Sequence, residues 1–370
     1  MIKSIPVLFL AILLTLVGCE DRKTSKTPII SAEITGLTSD VAYVMPTFDN
    51  SFILDTLNII DKKLTFNYVP DTATLVTLFC NGMKDQISLY IDMNSAIVLK
   101  GSFDSLQIEN DSINRSWIAF HNKTQNYKDS LAKLDQIIRD AYQKDTMDLF
   151  FETINSPEIA MIDSLWGNDL SGYIHDNRDN PTILLAIQEY LVATQNSDSI
   201  VTWMNQMGKS TQGFELDKQL RKIARMRSIT QVGSRMPYLK FTDEKGELKN
   251  TEQFKDSLLC LYFYMNDDRF TKTVKKDFDG FKKKLKKKQK VEMWAVSLAN
   301  SEDLWKEIVK QDSSKVTNLY ASEGVFTKQF KDAGIGSFPL LIVINNKSDI
   351  ISYNQYGKKL EDTILNYFSK

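Results

Sequence analysis

Hydrophobic and polar positions along this chain change period twice, near residue 105 and again near residue 231. From Ile29 to about Phe103, short apolar runs alternate with turn residues: Ile30 to Ile34, Val41 to Met45, Phe52 to Ile59, Lys63 to Val69, Leu75 to Cys80, Ile87 to Ile91 and Ala96 to Lys100. The runs are bounded by Gly36, Asp49-Asn50, Asp61, Asp71 and Asn81-Gly82, and their regular spacing predicts strands of a β-sandwich-like domain over 29–105.

From about Ser112 to Thr230, within a helical region set at 106–231, the period becomes helical. Leu131, Leu134, Ile137, Ile138 and Tyr142 recur at spacings of three and four with Lys, Asp, Gln and Arg between them, the pattern of an amphipathic helix. Ser156-Pro157-Glu158 and Asn180-Pro181 each set a capping side chain before a proline suited to a first helical position, and so predict two further helix starts. Leu184, Ile187 and Leu191, then Leu216, Leu220 and Ile223, extend the stripe into a helical region of about four to six helices, a number set by typical helix length. Trp117, Trp166 and Trp203 fall on these stripes and read as core.

From 232 to 370 strands and helices alternate. The run Tyr238 to Phe241 and a Glu244-Lys245-Gly246 turn precede the apolar strand Leu258 to Met265. Val274, Phe278, Phe281 and Leu285 have helical spacing, Val291 to Leu298 reads as a strand, and Leu304 to Val309 as a helix. Beyond Phe326 to Phe330 come the strand Leu340 to Asn345, a polar turn, the strand Ile350 to Gln355 and a closing helix Lys359 to Phe368. Such alternation predicts an α/β sheet, so the fold class is α+β multidomain.

Composition narrows what this architecture can do. Of 370 residues 42% are hydrophobic, enough for packed cores, and 46 basic residues against 47 acidic ones give no global charge for binding nucleic acid. The two histidines, His121 and His175, have no companion His or Cys nearby in sequence, so neither a metal nor a cofactor is expected. Cys80 and Cys260 sit inside apolar runs and read as buried single thiols. A disulfide between them would need α-carbons within about 7 Å.

The first residues carry an address. Lys3, the apolar run Ile5 to Leu16 and the small residues of Leu16-Val17-Gly18-Cys19 resemble a bacterial lipoprotein signal and its lipobox. The resemblance implies removal of 1–18, lipidation of Cys19 with diacylglycerol and an N-acyl chain such as palmitate, and a short tether over 19–28. The apolar run is shorter than the roughly 20 residues of a membrane span. The expected location is the cell envelope, on the periplasmic face of the inner or outer membrane or at the cell surface.

With an opening strand ending in Gly36, a Tyr43 strand, the strand Leu64 to Val69 after a turn and the strand Ala96 to Gly101 entering Ser102-Phe103, the layout of 29–105 is similar to the small β-domain of unknown function that often precedes thioredoxin-like domains in Gram-negative lipoproteins. The order of elements from Val232 onward resembles the TlpA/ResA-type thioredoxin-like domain. The matching elements are Met236-Pro237, the strand end Tyr262-Phe263-Tyr264, the step Phe338-Pro339 before an apolar strand, and the polar hairpin after it. The resemblance implies a cis peptide before Pro339, with Phe338 and Pro339 beside a binding groove. It also places the family's Cys-x-x-Cys on Asp268-Arg269-Phe270-Thr271, where Asp268 and Thr271 stand for the two cysteines.

Thiol exchange needs a thiolate nucleophile and a second sulfur to resolve the mixed disulfide, and neither Asp268 nor Thr271 supplies one. No catalytic residue is therefore assigned. The expectation is a lipid-anchored envelope protein whose redox-inactive thioredoxin-like domain binds a peptide, protein or glycan. The alternative is an oxidoreductase-related protein of the TlpA/ResA type that uses Cys260 or a partner's thiols. A hydrolase has no recognised mechanism here, because Asp268 has no histidine near it.

Ten lysines between Lys272 and Lys290 surround the stripe Val274, Phe278, Phe281 and Leu285. A solvated helix face accounts for them. The sharper reading is contact of Lys282, Lys283, Lys284, Lys286, Lys287 and Lys288 with anionic lipid headgroups or another acidic envelope polymer.

Overall fold

The architecture comes from a computed structural model, which describes residues 29–369 apart from short stretches at 37–38, 48–52, 68, 81–85, 103–104, 254–256, 300, 323, 325–326 and 337. The lipid-attachment expectation at Cys19 and the tether at 19–28 lie outside the described residues. The chain divides after residue 111 into two compact units.

The first unit contains eight strands: β1 (Ile30–Ile34), β2 (Val41–Pro46), β3 (Asp55–Asn58), β4 (Lys63–Phe66), β5 (Thr74–Cys80), β6 (Gln86–Ile91), β7 (Ile97–Ser102) and β8 (Ser105–Glu109). They form two four-stranded sheets, β4-β1-β7-β8 and β3-β2-β5-β6. Each buries one alternating set of side chains, such as Ile30, Ala32 and Ile34 in the first and Ala42 and Val44 in the second. This is the β-sandwich-like arrangement that the alternation predicts. The eighth strand lies past the expected boundary at 105, and helix begins at Ser112, where the helical period starts. Gly101 makes the β7–β8 return feasible: its φ is +107°, and a Cβ there would stand 2.4 Å from the Ser105 carbonyl oxygen.

The second unit opens with α1 (Ser112–Gln143), α2 (Met147–Ile154), α3 (Pro157–Asp176), α4 (Ile183–Thr194), α5 (Ile200–Gln206) and α6 (Glu215–Thr230). Ser156 caps α3 as its sequence suggests, accepting from the Ile159 amide at 3.3 Å with Pro157 in the first turn. Asn180 does not start α4. Its side chain accepts from the Thr182 amide at 3.0 Å and donates to the Ile113 carbonyl at 2.9 Å, so it closes a turn and ties the loop to α1, and the helix begins at Ile183. Trp117, Trp166 and Trp203 are buried, with Tyr190 edge-on to both Trp166 and Trp203. The stripe on α1 is narrower than predicted: Leu134 is buried, whereas Ile137 is 43% exposed.

The rest of the unit contains β9 (Lys240–Asp243), β10 (Leu248–Asn250), β11 (Leu258–Tyr264), α7 (Arg269–Lys284), β12 (Val291–Ser297), α8 (Glu302–Gln311), β13 (Thr317–Tyr320), α9 (Lys328–Asp332), β14 (Leu340–Ile344), β15 (Ile350–Tyr353) and α10 (Gly357–Phe368). The sheet order is β10-β9-β13-β12-β11-β14-β15. β11 is central and wholly buried because both of its faces are covered, which explains its uninterrupted apolar run. Leu259, Leu261 and Phe263 pack with Phe241, Val296 and Phe330 on one face. Cys260, Tyr262 and Tyr264 pack on the other with Val274 and Phe278 of α7, Leu360 and Ile364 of α10, and Met147 and Phe151 of α2. The helical region thus contributes α2 directly to the core of the sheet.

A parallel β11–α7–β12 crossover, an antiparallel β14–β15 hairpin next to β11, a cis Phe338–Pro339 bond leading into β14 and a closing helix make this part thioredoxin-like. The fold class is α+β multidomain, with a β-sandwich-like unit, a helical middle and a thioredoxin-like α/β part.

Candidate functional site

In a sheet of this kind ligands meet the protein at the carboxyl ends of parallel strands, which puts the junction of β11 and α7 first for inspection. Asp268 is the N-cap of α7, its Oδ1 accepting from the Thr271 amide at 2.9 Å. Thr271 is buried; its hydroxyl donates to the Asn266 carbonyl at 2.9 Å and shares a hydrogen bond of 3.0 Å with the Tyr262 hydroxyl. One of the two residues at the expected cysteine positions therefore holds the helix start, and the other ties it to β11.

The two residues between them turn toward the helical region. Arg269 pairs through Nε with Asp145 at 3.0 Å, donates to the Tyr142 backbone carbonyl and lies 5.6 Å from the Tyr142 ring centroid. Phe270 meets Phe150, Phe151 and Tyr356 at centroid distances of 5.7, 5.5 and 5.1 Å. Aromatic pairs at such separations add stabilisation beyond simple area burial. This turn is a clamp on the end of α1 and on α2.

One turn further along, Lys275 has 2% of its side chain exposed. Its ammonium is 3.0 Å from Asp312, 3.6 Å from Asp267 and 4.7 Å from the Tyr264 ring centroid. Burial disfavours its charge, yet Tyr264 and the two carboxylates outweigh burial and raise its pKa. Burial also pushes the Asp312 carboxyl upward, but the Ser314 amide and Lys275 pull it lower overall. Lys275 is thus not part of the cationic helix face on which its place among the ten lysines puts it. The available signal was its position four residues after Thr271 and three before Phe278, on the buried side of the helix.

Of the other sequence candidates, Phe338-Pro339 lead into β14 beside the end of β11, where Leu340 pairs with Phe263, while the cysteines and the lysine run lie elsewhere. Cys80 and Cys260 are both free and buried, and burial drives the Cys260 thiol far above its ordinary range. Phe338 packs edge-on to Phe330 at 6.4 Å. Lys282, Lys283, Lys286, Lys287 and Lys288 are exposed at the far end of α7 and on the loop after it. Lys284, also exposed, is 3.7 Å from Glu361.

Among the described residues the second unit has a concavity of about 1000 Å³ between α2, α7 and α10, with an apolar floor that includes Phe151, Phe278, Phe281 and Leu360. On its wall burial, followed by the charges of Asp148 and Glu361, raises the Asp277 carboxyl above its ordinary value. A second, of about 820 Å³, lies between α1, the α2–α3 junction and the loop after α4. A shallow one of about 350 Å³ is formed by Asp267, Asp268, Arg269, Lys272, Thr273 and Lys276.

His121 is buried in the helical region, with Nδ1 2.9 Å from Glu189, which also binds Lys128 at 2.6 Å; His175 is exposed. Among the described residues no group of three or more His, Cys, Asp or Glu side chains is placed to hold a metal, and no helix is long and apolar enough to cross a membrane.

No protein-family model and no curated protein matches the chain. Solved structures do. A thioredoxin-like protein from Bacteroides caccae is 12% identical over 58% of this chain and 86% of its own, with a TM-score of 0.47. A thiol-disulfide oxidoreductase from Bacteroides fragilis is 20% identical over 36% of this chain and 99% of its own, with a TM-score of 0.33. A thiol:disulfide interchange protein from a Bacteroides species is 20% identical over 38% of this chain and 93% of its own, with a TM-score of 0.32. These are likenesses of fold; the thioredoxin-like assignment rests on the strand order, crossover and hairpin above.

Proposed function

We propose that this chain is a lipid-anchored envelope protein whose thioredoxin-like domain is a redox-inactive scaffold that binds a peptide, protein or glycan. The observation that carries the reading is the state of the β11–α7 junction. Asp268 caps the helix, Thr271 is bonded into the core, and Arg269 and Phe270 clamp the helical region. A turn committed to these contacts offers no sulfur nucleophile and no free side chain in its place. The cleft between α2, α7 and α10 is the binding place, because an apolar floor with a polar rim suits a ligand that is partly desolvated on binding.

Insulin reduction by a soluble form beginning at residue 20 tests the chemistry. No reduction is expected. Activity that disappears in Cys260→Ser would instead establish the second reading, an oxidoreductase-related protein of the kind named among the solved neighbours, acting through Cys260. The cleft has its own test in Gly280, on its wall, where an added Cβ meets nothing within 4 Å. Gly280→Trp should block capture of partners by cross-linking in cells without loss of folding; unchanged capture would exclude this cleft. For the anchor, metabolic labelling with palmitate should mark the wild type and leave Cys19→Ala unlabelled, and a labelled Cys19→Ala chain would refute lipidation at that residue.

A further inference from the structure

We infer that the C-terminal end of α7 and the loop after it form a seat for the anionic headgroups of a lipid bilayer. The thioredoxin-like domain then stands with the substituted Asp268–Thr271 turn at the end of α7 away from the membrane. The inference rests on the envelope reading for its setting, although its test does not need the lipid at Cys19.

Lys282, Lys283 and Lys284 make up the last turn of α7, and Lys286, Lys287, Lys288 and Lys290 follow on the connection to β12. All are exposed, and no acidic residue occurs between Asp279 and Glu292. The Asp279 carboxylate is already engaged by the Lys315 amide at 2.7 Å. Among the described residues Lys284 alone of this set is in an ion pair. The chain as a whole has a net charge of −1, so this concentration of cations is local and is not part of a general basic character.

The form of the patch selects the occupant. Phe281 is buried and Leu285 half-buried beneath the lysines, so their apolar groups face the protein core, and no large exposed hydrophobic residue occurs from 280 to 291. The patch therefore has no wedge for entering the acyl region and no enclosure for a single phosphate. An open array of point charges on flexible stems matches a surface of many headgroups, each lysine near such a surface contributing on the order of 1 kcal/mol. Cations at a helix C-terminus are also favoured by the helix dipole. With 16 residues, α7 spans about 24 Å, which separates the seat from the Asp268 end by more than two Debye lengths in physiological salt.

The test uses the chain from residue 20 onward, which keeps both compact units. It should sediment with vesicles of mixed phosphatidylglycerol and phosphatidylcholine at low salt, ignore phosphatidylcholine alone, and be released by high salt. K286E/K287E/K288E should lower partitioning on the order of a hundredfold. K310E/K331E/K347E, with the same change in net charge at other exposed sites, should keep most of it. An environment-sensitive dye on Lys287→Cys should respond to anionic vesicles, and the same dye on Lys272→Cys should not; the two remaining native thiols are buried. Equal loss in both triple variants, an equal dye response at both positions, no preference for anionic vesicles, or binding to a soluble acidic polysaccharide but not to vesicles would each overturn the inference.

Discussion

Near the N-terminal end of α7, Lys275 has 2% of its side chain exposed and is held between Asp312 and Asp267; at the C-terminal end, Lys286, Lys287 and Lys288 stand in water beside no acidic partner in the local sequence. One helix thus places the same side chain in two electrostatic settings. A buried cation must be paired on all sides, because desolvation would otherwise expel or neutralise it. An exposed cation needs no partner and keeps its field for an external one. The first end is committed to holding the domain together, whereas the second remains free to act outward.

The sharpest way to break this contrast is Lys275→Met. Removing the ammonium leaves Asp312 buried without a cation, held by the Ser314 amide and the Asn318 side chain, and leaves Asp267 with the exposed Lys272, at an expected loss of about 3 kcal/mol in chemical denaturation. A loss below about 1 kcal/mol would show that Lys275 is no more committed than a surface lysine.

The same cluster predicts the pH dependence. Asp312 titrates below its ordinary value in the folded protein, so its contribution is present above the unfolded pKa of about 4 and is lost as the pH falls through the lower folded value. Lys275 titrates above its ordinary value, so its contribution is full below the unfolded pKa of about 10.4 and is lost as the pH rises through the higher folded value. Wild type should lose stability at both extremes, and Lys275→Met should lose the alkaline part.

Phe270→Ala comes next, at about 2 kcal/mol, less than a fully buried phenylalanine would cost because Phe270 is half-buried. It should also speed hydrogen exchange in α2, the element that it clamps. Asp268→Ala should cost about 1 kcal/mol as a lost N-cap, with Asp268→Asn recovering most of it. Lys287→Ala should change stability by no more than about 0.5 kcal/mol, as expected of an exposed residue without structural contacts. If Lys287→Ala proved as costly as Asp268→Ala, the two ends of α7 would not differ in kind.

Much of this architecture was legible in the order of residues because period follows burial. The two-residue alternation around β2 and β6 arises from sheets with one covered face, and the unbroken apolar run of β11 from a strand covered on both. β13 was not legible: Thr317-Asn318-Leu319-Tyr320 has no apolar run, and it is a strand because β12 and β9 pair with it. The start of α4 was misplaced because an asparagine before proline can cap a helix or close a turn, and only its reach to the Ile113 carbonyl decides between them. At the candidate site the residues Asp268-Arg269-Phe270-Thr271 and their lack of sulfur could be read directly. The clamp made by Arg269 and Phe270 could not, because its partners Asp145, Phe150 and Phe151 lie more than a hundred positions away.

By itself the sequence determined the succession of a strand-rich part, a helical part and an α/β part, together with the absence of sulfur from the Asp268–Thr271 turn, since these depend on local period and residue identity. Tertiary structure alone decided that Lys275 is paired with Asp312 and Asp267, that α2 belongs to the core of the sheet, and that the Asp268–Thr271 turn is a clamp. The physical reason is that burial and pairing belong to groups brought together from distant segments. A side chain's own identity limits those environments but does not choose among them.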